Sequence, residues 1–390
     1  MTIQGHWRQV ASAAVNILLL SAYAAQSHVH WQHSLRSMLS ECRWEVLELP
    51  PRHFSWRVRG NPLYWALQER DVLVRQYDLV LATSMVDLAT LRGLVPSLAA
   101  VPTVVYFHEN QFAYPQQNQQ HNLLEAQMVS IYSALAADSL MFNSAYNCES
   151  FLSGCEQLLR RLPDKVPPGV VDLLRGKAVV VPVPVATVVS AEGVGRWPEA
   201  DSLTSGRALR LLWTGRFEYD KGGEGLLAIL QQLESDGFDY TLAVVGQQFR
   251  NSPAVFEQIR EDYSHRLIQF GYIEALDDYR ALLRGADIAL STALHEFQGL
   301  ALLEAVAAQC IPAVPDRLAY REIYPQQFRY RSSADGDPQA EARSGAELVQ
   351  RLALQLQQGR VTPPDISAFD PQQLAARYRN LFATLVGASG

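Results

Sequence analysis

Short apolar runs rich in β-branched residues alternate along the chain with longer stretches whose apolar positions recur at helical spacing. In the first half the runs are 16–23 (NILLLSAY), 45–50 (EVLELP), 77–84 (YDLVLATS), 103–110 (TVVYFHEN), 138–144 (DSLMFNS) and 178–185 (AVVVPVPV). Helical patterns fall near 31–40, 120–137 and 146–161. Residues 186–206 break the alternation with small and polar residues and read as a linker. A second series follows at 208–216, 240–248, 267–273, 286–293 and 310–316, with helices at 222–236, 253–264, 276–284 and 299–309. A last helix fits 371–387. Strands alternating with helices imply parallel sheets. The pattern therefore predicts an α/β protein of two doubly wound domains, 14–185 and 207–370, joined by the linker 186–206 and closed by a helical segment at 371–390. Ligands of such sheets bind beyond the carboxyl ends of the strands, so a cleft between the domains is expected, with the motifs just after strands.

Composition supports this picture. Of 390 residues, 48% are apolar and 19% charged, enough for two cores and unlike a disordered chain. A net charge of -7 argues against non-specific nucleic-acid binding through a globally basic surface, but leaves room for a local basic patch. Lysine occurs only at 165, 177 and 221, so a phosphate-binding lysine is easy to look for. The cysteines, Cys42, Cys148, Cys155 and Cys310, form no C-x-x-C pair, which fits a reduced cytoplasmic protein. The stretch 10–26 imitates a signal peptide, yet its basic flank is a single arginine, and a buried first strand accounts for it better. No apolar run reaches the length of a membrane span.

Candidate chemistry lies at strand ends. In HEFQGLALLEA (295–305), Glu296 and Glu304 are eight residues apart. In one continuous helix they would stand roughly 12 Å apart along the axis and about 80° around it, a poor metal pair. A strand ending near Ala293 and a helix beginning at Gly299 put Glu296 in a loop and Glu304 one turn into the helix. Both carboxylates can then accept hydroxyls of one ligand, while Gly299 allows close backbone approach and the helix start offers free N–H groups. The bland alternative is a helix cap and an ordinary polar residue. In LLWTGRFEYDKGGEGLL (211–227), Arg216 and Lys221 can clamp a diphosphate without a metal; alone, they would read as a solvated loop. His108, in TVVYFHENQFAYP (103–115), follows a strand and is expected to face the cleft, although a lone histidine there is often structural. Ser27 and His28, after the first strand, are a weaker case of the same kind. The stretch 50–65 (PPRHFSWRVRGNPLYW) interleaves Arg52, Arg57 and Arg59 with Phe54, Trp56 and Tyr64. Its prolines and glycine make it read as a loop, either with buried aromatic anchors or as a surface for phosphates and unpaired bases. The D-x-D of ADGDP (334–338) reads as a turn rather than a metal site.

Together, Glu296, Gly299, Glu304, Arg216 and Lys221 resemble the retaining GT-B glycosyltransferases of family 4, whose fold is two Rossmann-like domains facing a cleft. The resemblance implies that Glu296 meets the donor sugar, Glu304 the nucleotide ribose, and Arg216 and Lys221 the diphosphate. Phe297, Gln298, Gly299 and Leu300 complete the donor site, with His108 and Glu296 at the transfer point and no metal. YFHENQFAYP, FNSAYNCESFL, RFEYDK and HEFQGLALLEAV are more closely similar to the tRNA-queuosine alpha-mannosyltransferases, over most of the chain to about residue 325. That family implies a cytoplasmic enzyme moving mannose from GDP-mannose to queuosine in tRNA(Asp), the nucleotide sugar being a co-substrate and no further cofactor needed. It places Ser27, His28, Glu109, Asn110 and Asn143 on the acceptor side and makes Arg52, Trp56, Arg57 and Arg59 a tRNA contact. The chain departs from the family pattern at Ala25-Gln26, where animal members carry Gly-Gly, and at Gln298, which is often Phe. No protein partner is implied. Two other readings stay open: a GT-B transferase using another nucleotide sugar and a lipid or small-molecule acceptor, and a non-catalytic two-domain sugar-binding protein. An exposed, basic, amphipathic helix in the first domain would favour the lipid acceptor. A nicotinamide-linked oxidoreductase is disfavoured, because SAYAAQSH has no glycine where G-x-G-x-x-G would stand.

Overall fold

The computed structural model describes residues 14–113, 123–186, 197, 206–332 and 337–387. The chain divides into two compact units. One runs to Pro184 and takes up the stretch from Pro371; the other is Val185–Asp370.

The first unit holds a parallel sheet of β1 (Asn16–Ser21), β2 (Arg43–Glu48), β3 (Leu79–Thr83), β4 (Thr103–Phe107), β5 (Ser139–Phe142) and β6 (Ala178–Val180), ordered β2-β1-β3-β4-β5-β6. Every residue of β3, β4 and β5 is buried, as expected of strands covered on both faces. The signal-like stretch contains β1, an inner strand of this sheet that pairs with both β2 and β3. Its helices include α1 (Gln26–Met38), α2 (Phe54–Gln68), α3 (Leu123–Ala136) and α4 (Ala145–Arg161). The Ser144 hydroxyl caps α4 by accepting from Asn147 N–H at 3.0 Å.

The helix α2 corrects the loop expected at 50–65. Pro62 lies inside it and cannot donate to the Val58 carbonyl one turn back. Asn61 supplies the substitute: its side-chain amide donates to Arg57 O at 2.7 Å and Val58 O at 3.1 Å. Gly60 has a packing reason, since a Cβ there would meet the Trp56 ring at 2.4 Å.

The second unit holds β7 (Leu209–Thr214), β8 (Tyr240–Val245), β9 (Leu267–Gly271), β10 (Ile288–Leu290), β11 (Ile311–Pro315) and β12 (Arg329–Tyr330), ordered β12-β11-β10-β7-β8-β9 and again parallel. β12, two residues long, carries no periodicity and was not expected. Helices α5 (Gly223–Ser235), α6 (Leu276–Gly285), α7 (Leu300–Ala307) and α8 (Pro338–Gln357) are among those flanking the sheet. Asp337, from the D-x-D stretch, caps α8 by accepting from Gln339 N–H at 2.9 Å; residues 333–336 lie outside the described residues. Most of the expected linker also lies outside them. Trp197 does not: it is buried in this unit and donates from Nε1 to Leu282 O at 2.8 Å.

The last helix, α9 (Pro371–Gly387), packs against α1 in the first unit. Trp31 Nε1 donates to Tyr378 Oη at 3.0 Å, and Tyr378 donates on to Pro182 O at 3.2 Å.

Candidate active-site loops

In the second unit, the loop after β7 and the loop between β10 and α7 are tied into one structure. Leu294 and His295 N–H both donate to Asp220 O, at 2.9 and 3.1 Å. Thr292 Oγ1 donates to Lys221 O at 3.1 Å and accepts from Trp213 Nε1 at 3.0 Å. The chain can pass this closely because Gly222, at φ +73°, has no Cβ; one there would lie 2.0 Å from Thr292 O. Gly299, at φ +76°, caps α7, so the helix starts at Leu300, one residue later than expected.

These ties bring Lys221 to Glu296. Lys221 Nζ is 3.0 Å from Glu296 Oε2 and 3.2 Å from Asp220 Oδ2. Burial alone would lower the lysine's pKa, but the two carboxylates outweigh it and hold the pKa above its ordinary value. Burial likewise opposes ionisation of Glu296, and Lys221 reverses this and draws the carboxyl below the usual range. Phe297 N–H donates to Glu296 Oε1 at 3.1 Å, and the backbone of Gly299 also bonds this carboxylate. Phe297 and Gln298 are buried, the former packed edge-on to His295 with ring centroids 4.5 Å apart. Arg216 sits 3.0 Å from Glu218 and 3.9 Å from Asp220. Glu304, one turn into α7, accepts from Tyr279 Oη at 3.3 Å. The two glutamates thus have different partners: Glu296 the lysine, Glu304 a tyrosine.

In the first unit, His108 follows β4 and stacks on His28 from α1, with ring centroids 4.1 Å apart and planes at 20°. Trp31 and Tyr106 box His108 in, at 4.8 and 4.7 Å. Burial holds both imidazoles neutral, with His28 lowered to about 4 and His108 well below the ordinary value. Ser27 lies beside His28 in the first turn of α1, on a helix rather than the loop expected after the first strand. Asn110 and Asn143 are buried and engaged with the protein itself. Asn143 Nδ2 donates to His108 O at 2.8 Å; Asn110 Nδ2 donates to Asn147 Oδ1 at 2.8 Å and its Oδ1 accepts from Phe112 and Ala113 N–H. Through these bonds both side chains brace the loop that carries His108 and the half-buried Glu109.

The arginine and aromatic stretch splits. Trp56 is 55% exposed, and with Leu63 and Leu67 it forms one solvent-facing stripe of α2 at helical spacing, beside Phe54 and Tyr64. Arg59 is taken up by the buried Asp87 and by Glu125 at 3.2 Å, and Arg57 donates to Pro50 O at 3.3 Å. Arg52 is exposed.

Comparison with known proteins decides the family. Residues 16–185 match the family model described as tRNA-queuosine alpha-mannosyltransferase N-terminal, and 208–350 match glycosyl transferases group 1. A Drosophila melanogaster protein named tRNA-queuosine alpha-mannosyltransferase is 33% identical over 333 residues, covering 83% of this chain and 85% of the relative. The chain belongs to the tRNA-queuosine alpha-mannosyltransferase family. Among solved structures, Anabaena HepE in complex with UDP matches with TM-score 0.60 at 13% identity, over 95% of this chain and all of that one. The Candida albicans trehalose-6-phosphate phosphatase N-terminal domain matches with TM-score 0.63 at 14% identity, over 97% and 96%. At these identities the likeness shows the fold, GT-B. As a member of the tRNA-queuosine alpha-mannosyltransferase family, the chain is a glycosyltransferase. Among the described residues no helix is long and apolar enough to cross a membrane.

Sequence reasoning missed several groups that hold these loops. Thr292, Tyr279 and Arg317, which donates to Ala293 O at 2.9 Å, carry no motif of their own. His295 opens the HEFQGLALLEA motif but carries no signal of its own; burial, with Lys221 nearby, lowers its pKa to about 4.

Proposed function

We propose that the protein transfers mannose, with retention of configuration, from GDP-mannose to queuosine at the wobble position of tRNA(Asp). The observation that carries this reading is Lys221, held buried against Glu296 at the start of α7 in a chain of this family. Arg216 and Lys221 are the cations that would take the diphosphate, in exchange for the carboxylates they now face. Lys221 would stay charged across neutral pH, since Glu296 and Asp220 hold its pKa up. It would therefore offset charge on the departing phosphate with no metal needed. Glu296, Leu300 and the backbone of 297–299 would hold the hexose, and Glu304 a ribose hydroxyl. No clear nucleophile for a double displacement stands in the motifs, so front-face transfer is the step we assign. The donor bond breaks as the acceptor hydroxyl attacks the same face, and the departing phosphate takes the hydroxyl proton.

On the acceptor side, neutral His108 can donate to or accept from a hydroxyl but holds no proton to give as an acid near neutral pH. The aromatic stripe of α2 would stack unpaired bases, with Arg52 beside it for phosphate. One observation favours a second reading, transfer to a lipid acceptor: α2 is a helix with an exposed apolar stripe. Against it, interfacial helices of this kind carry a row of free cations, and Arg59 is spent on Asp87 and Glu125. The test is transfer from GDP-mannose to queuosine-containing tRNA, run beside flotation with vesicles of anionic phospholipid. Hexose on queuosine and no flotation support the first reading. Flotation with no queuosine product replaces it by the second.

A further inference from the structure

The carboxyl edge of the first sheet gathers buried polar atoms that find no hydrogen-bond partner among the described residues: Ser21 Oγ, Thr83 Oγ1, Gln32 Oε1, His28 Nδ1 and His108 Nε2. Register shows that they share a face. Ser21 ends β1 and pairs with Glu48, which ends β2; Thr83 ends β3 and pairs with Tyr106 in β4. The preceding pair, Leu20 and Ala82, belongs to the core on the opposite side of the sheet. Side chains alternate along a strand, so Ser21 and Thr83 point to the α1 side, where Trp31 rests on Tyr106 at 4.2 Å. From α1, Gln32 sits one turn after His28 and donates to Glu48 Oε2 at 2.7 Å.

Both hydroxyls are nearly sequestered, Ser21 at 2% and Thr83 at 1% exposure, while Glu48 opens to solvent. A buried polar atom without a partner is costly to keep, and native chains keep such atoms for a reason. Here they stand at the strand ends where doubly wound sheets receive ligands. The mix of groups also points to one chemistry. A carboxylate and an amide oxygen each accept hydroxyl protons, and serine and threonine hydroxyls both donate and accept. In related sheets an acidic side chain in the place of Glu48 takes a ribose hydroxyl.

We propose that Ser21, Gln32, Glu48 and Thr83 form a subsite for a vicinal diol on the acceptor, next to the His28–His108 stack. The subsite rests on the proposed function only for the identity of that acceptor: queuosine carries such a diol on its cyclopentene ring. Glu48 meets the diol at the mouth of the subsite, and Ser21 and Thr83 select for its hydroxyls from below. None of these residues shares an element with the donor loops, so the subsite sets acceptor specificity without touching donor binding.

The test uses the full chain and two variants, Ser21→Ala/Thr83→Val and Glu48→Gln. Binding of cis-1,2-cyclopentanediol against cyclopentanol is read by saturation-transfer NMR, with Tm and the KM for queuosine-containing tRNA alongside. Loss of an unpartnered hydroxyl should leave the Tm of the double variant equal or higher, which a merely structural role would not do. The diol signal should fall severalfold in both variants, and KM for the tRNA should rise about tenfold, the worth of one lost hydrogen bond. A diol signal equal to wild type in both variants, or no wild-type preference for the diol over cyclopentanol, would overturn the subsite. A wild type that binds the diol, loses it in the variants and still moves no hexose to queuosine would keep the subsite and remove the proposed function.

Discussion

Lys221 shows how a single side chain can be committed twice. It is held by Glu296 and Asp220, and we assign it to the donor phosphate. Lys221→Ala should abolish detectable donor binding in a nucleotide titration. It also strands two carboxylates in a largely buried loop, at a cost of about 3–5 kcal/mol. The paired variant Lys221→Met/Glu296→Gln should recover most of that stability in thermal denaturation without recovering donor binding. Recovery of both would remove Lys221 from the site. His28 sets a pH dependence of definite sign. Its folded pKa, about 4, lies below the unfolded 6.5, so the unfolded chain binds the extra proton first. The stability it contributes is fully present above pH 6.5 and is lost as pH falls towards 4, by about 3 kcal/mol. Thermal melts across that window should show the loss, and His28→Asn should reduce it without abolishing it, because burial lowers the pKa of His108 and His295 as well. The identities of Glu296, Lys221 and His108 were legible as candidates because each follows a strand. Their bonds were not, since the Lys221–Glu296 contact joins residues 75 apart in sequence.

At the scale of the element, α2 is where sequence reasoning failed, and the failure has a local cause. Proline and glycine are sound loop signals until another residue makes good what they remove. Asn61 does so for Pro62, and it also bonds Met85 O at 3.2 Å and accepts from Asp87 N–H at 3.3 Å. Asn61→Ala should therefore cost about 2–3 kcal/mol by leaving several buried groups without partners, measurable as a drop in the urea midpoint. A change within a few tenths of a kcal/mol would mean that α2 does not depend on it. The loop-to-helix turn at Gly299 was read correctly to within one residue, because a glycine before an apolar helical run is a signal that local geometry enforces. Gly222 is the stricter position. Its positive φ and the nearby Thr292 carbonyl leave no room for a side chain, so Gly222→Ala should separate the loop after β7 from the loop before α7 and, given the role we propose for them, lose donor binding in the same titration.

For the whole molecule, the two-sheet architecture was legible because fully buried parallel strands leave continuous apolar runs. The association of its ends was not. Composition marks 186–206 as linker, yet Trp197 is docked on α6, where a Cβ on Gly285 would meet its ring at 2.3 Å. Likewise α9 reads only as a separate helix that closes the chain, and its place in the first unit, through Tyr378, Trp31 and the Arg379–Glu41 pair at 2.6 Å, is not visible in the sequence. Such long-range pairings carry no sequence period. Donor identity and acceptor identity are the parts least visible in the chain, and they are what the account commits to. With a net charge of -7, recognition of tRNA would lean on stacking at Trp56 more than on charge. Trp56→Ala should therefore weaken tRNA binding about tenfold while the salt dependence stays shallow. The most direct measurement is incubation of the purified chain with GDP-mannose and queuosine-containing tRNA(Asp), followed by mass analysis of the released nucleosides. The account predicts queuosine heavier by one hexose, and none in the Lys221→Ala variant. Unchanged queuosine, with hexose transferred from GDP-mannose or another nucleotide sugar to a different acceptor, would contradict it.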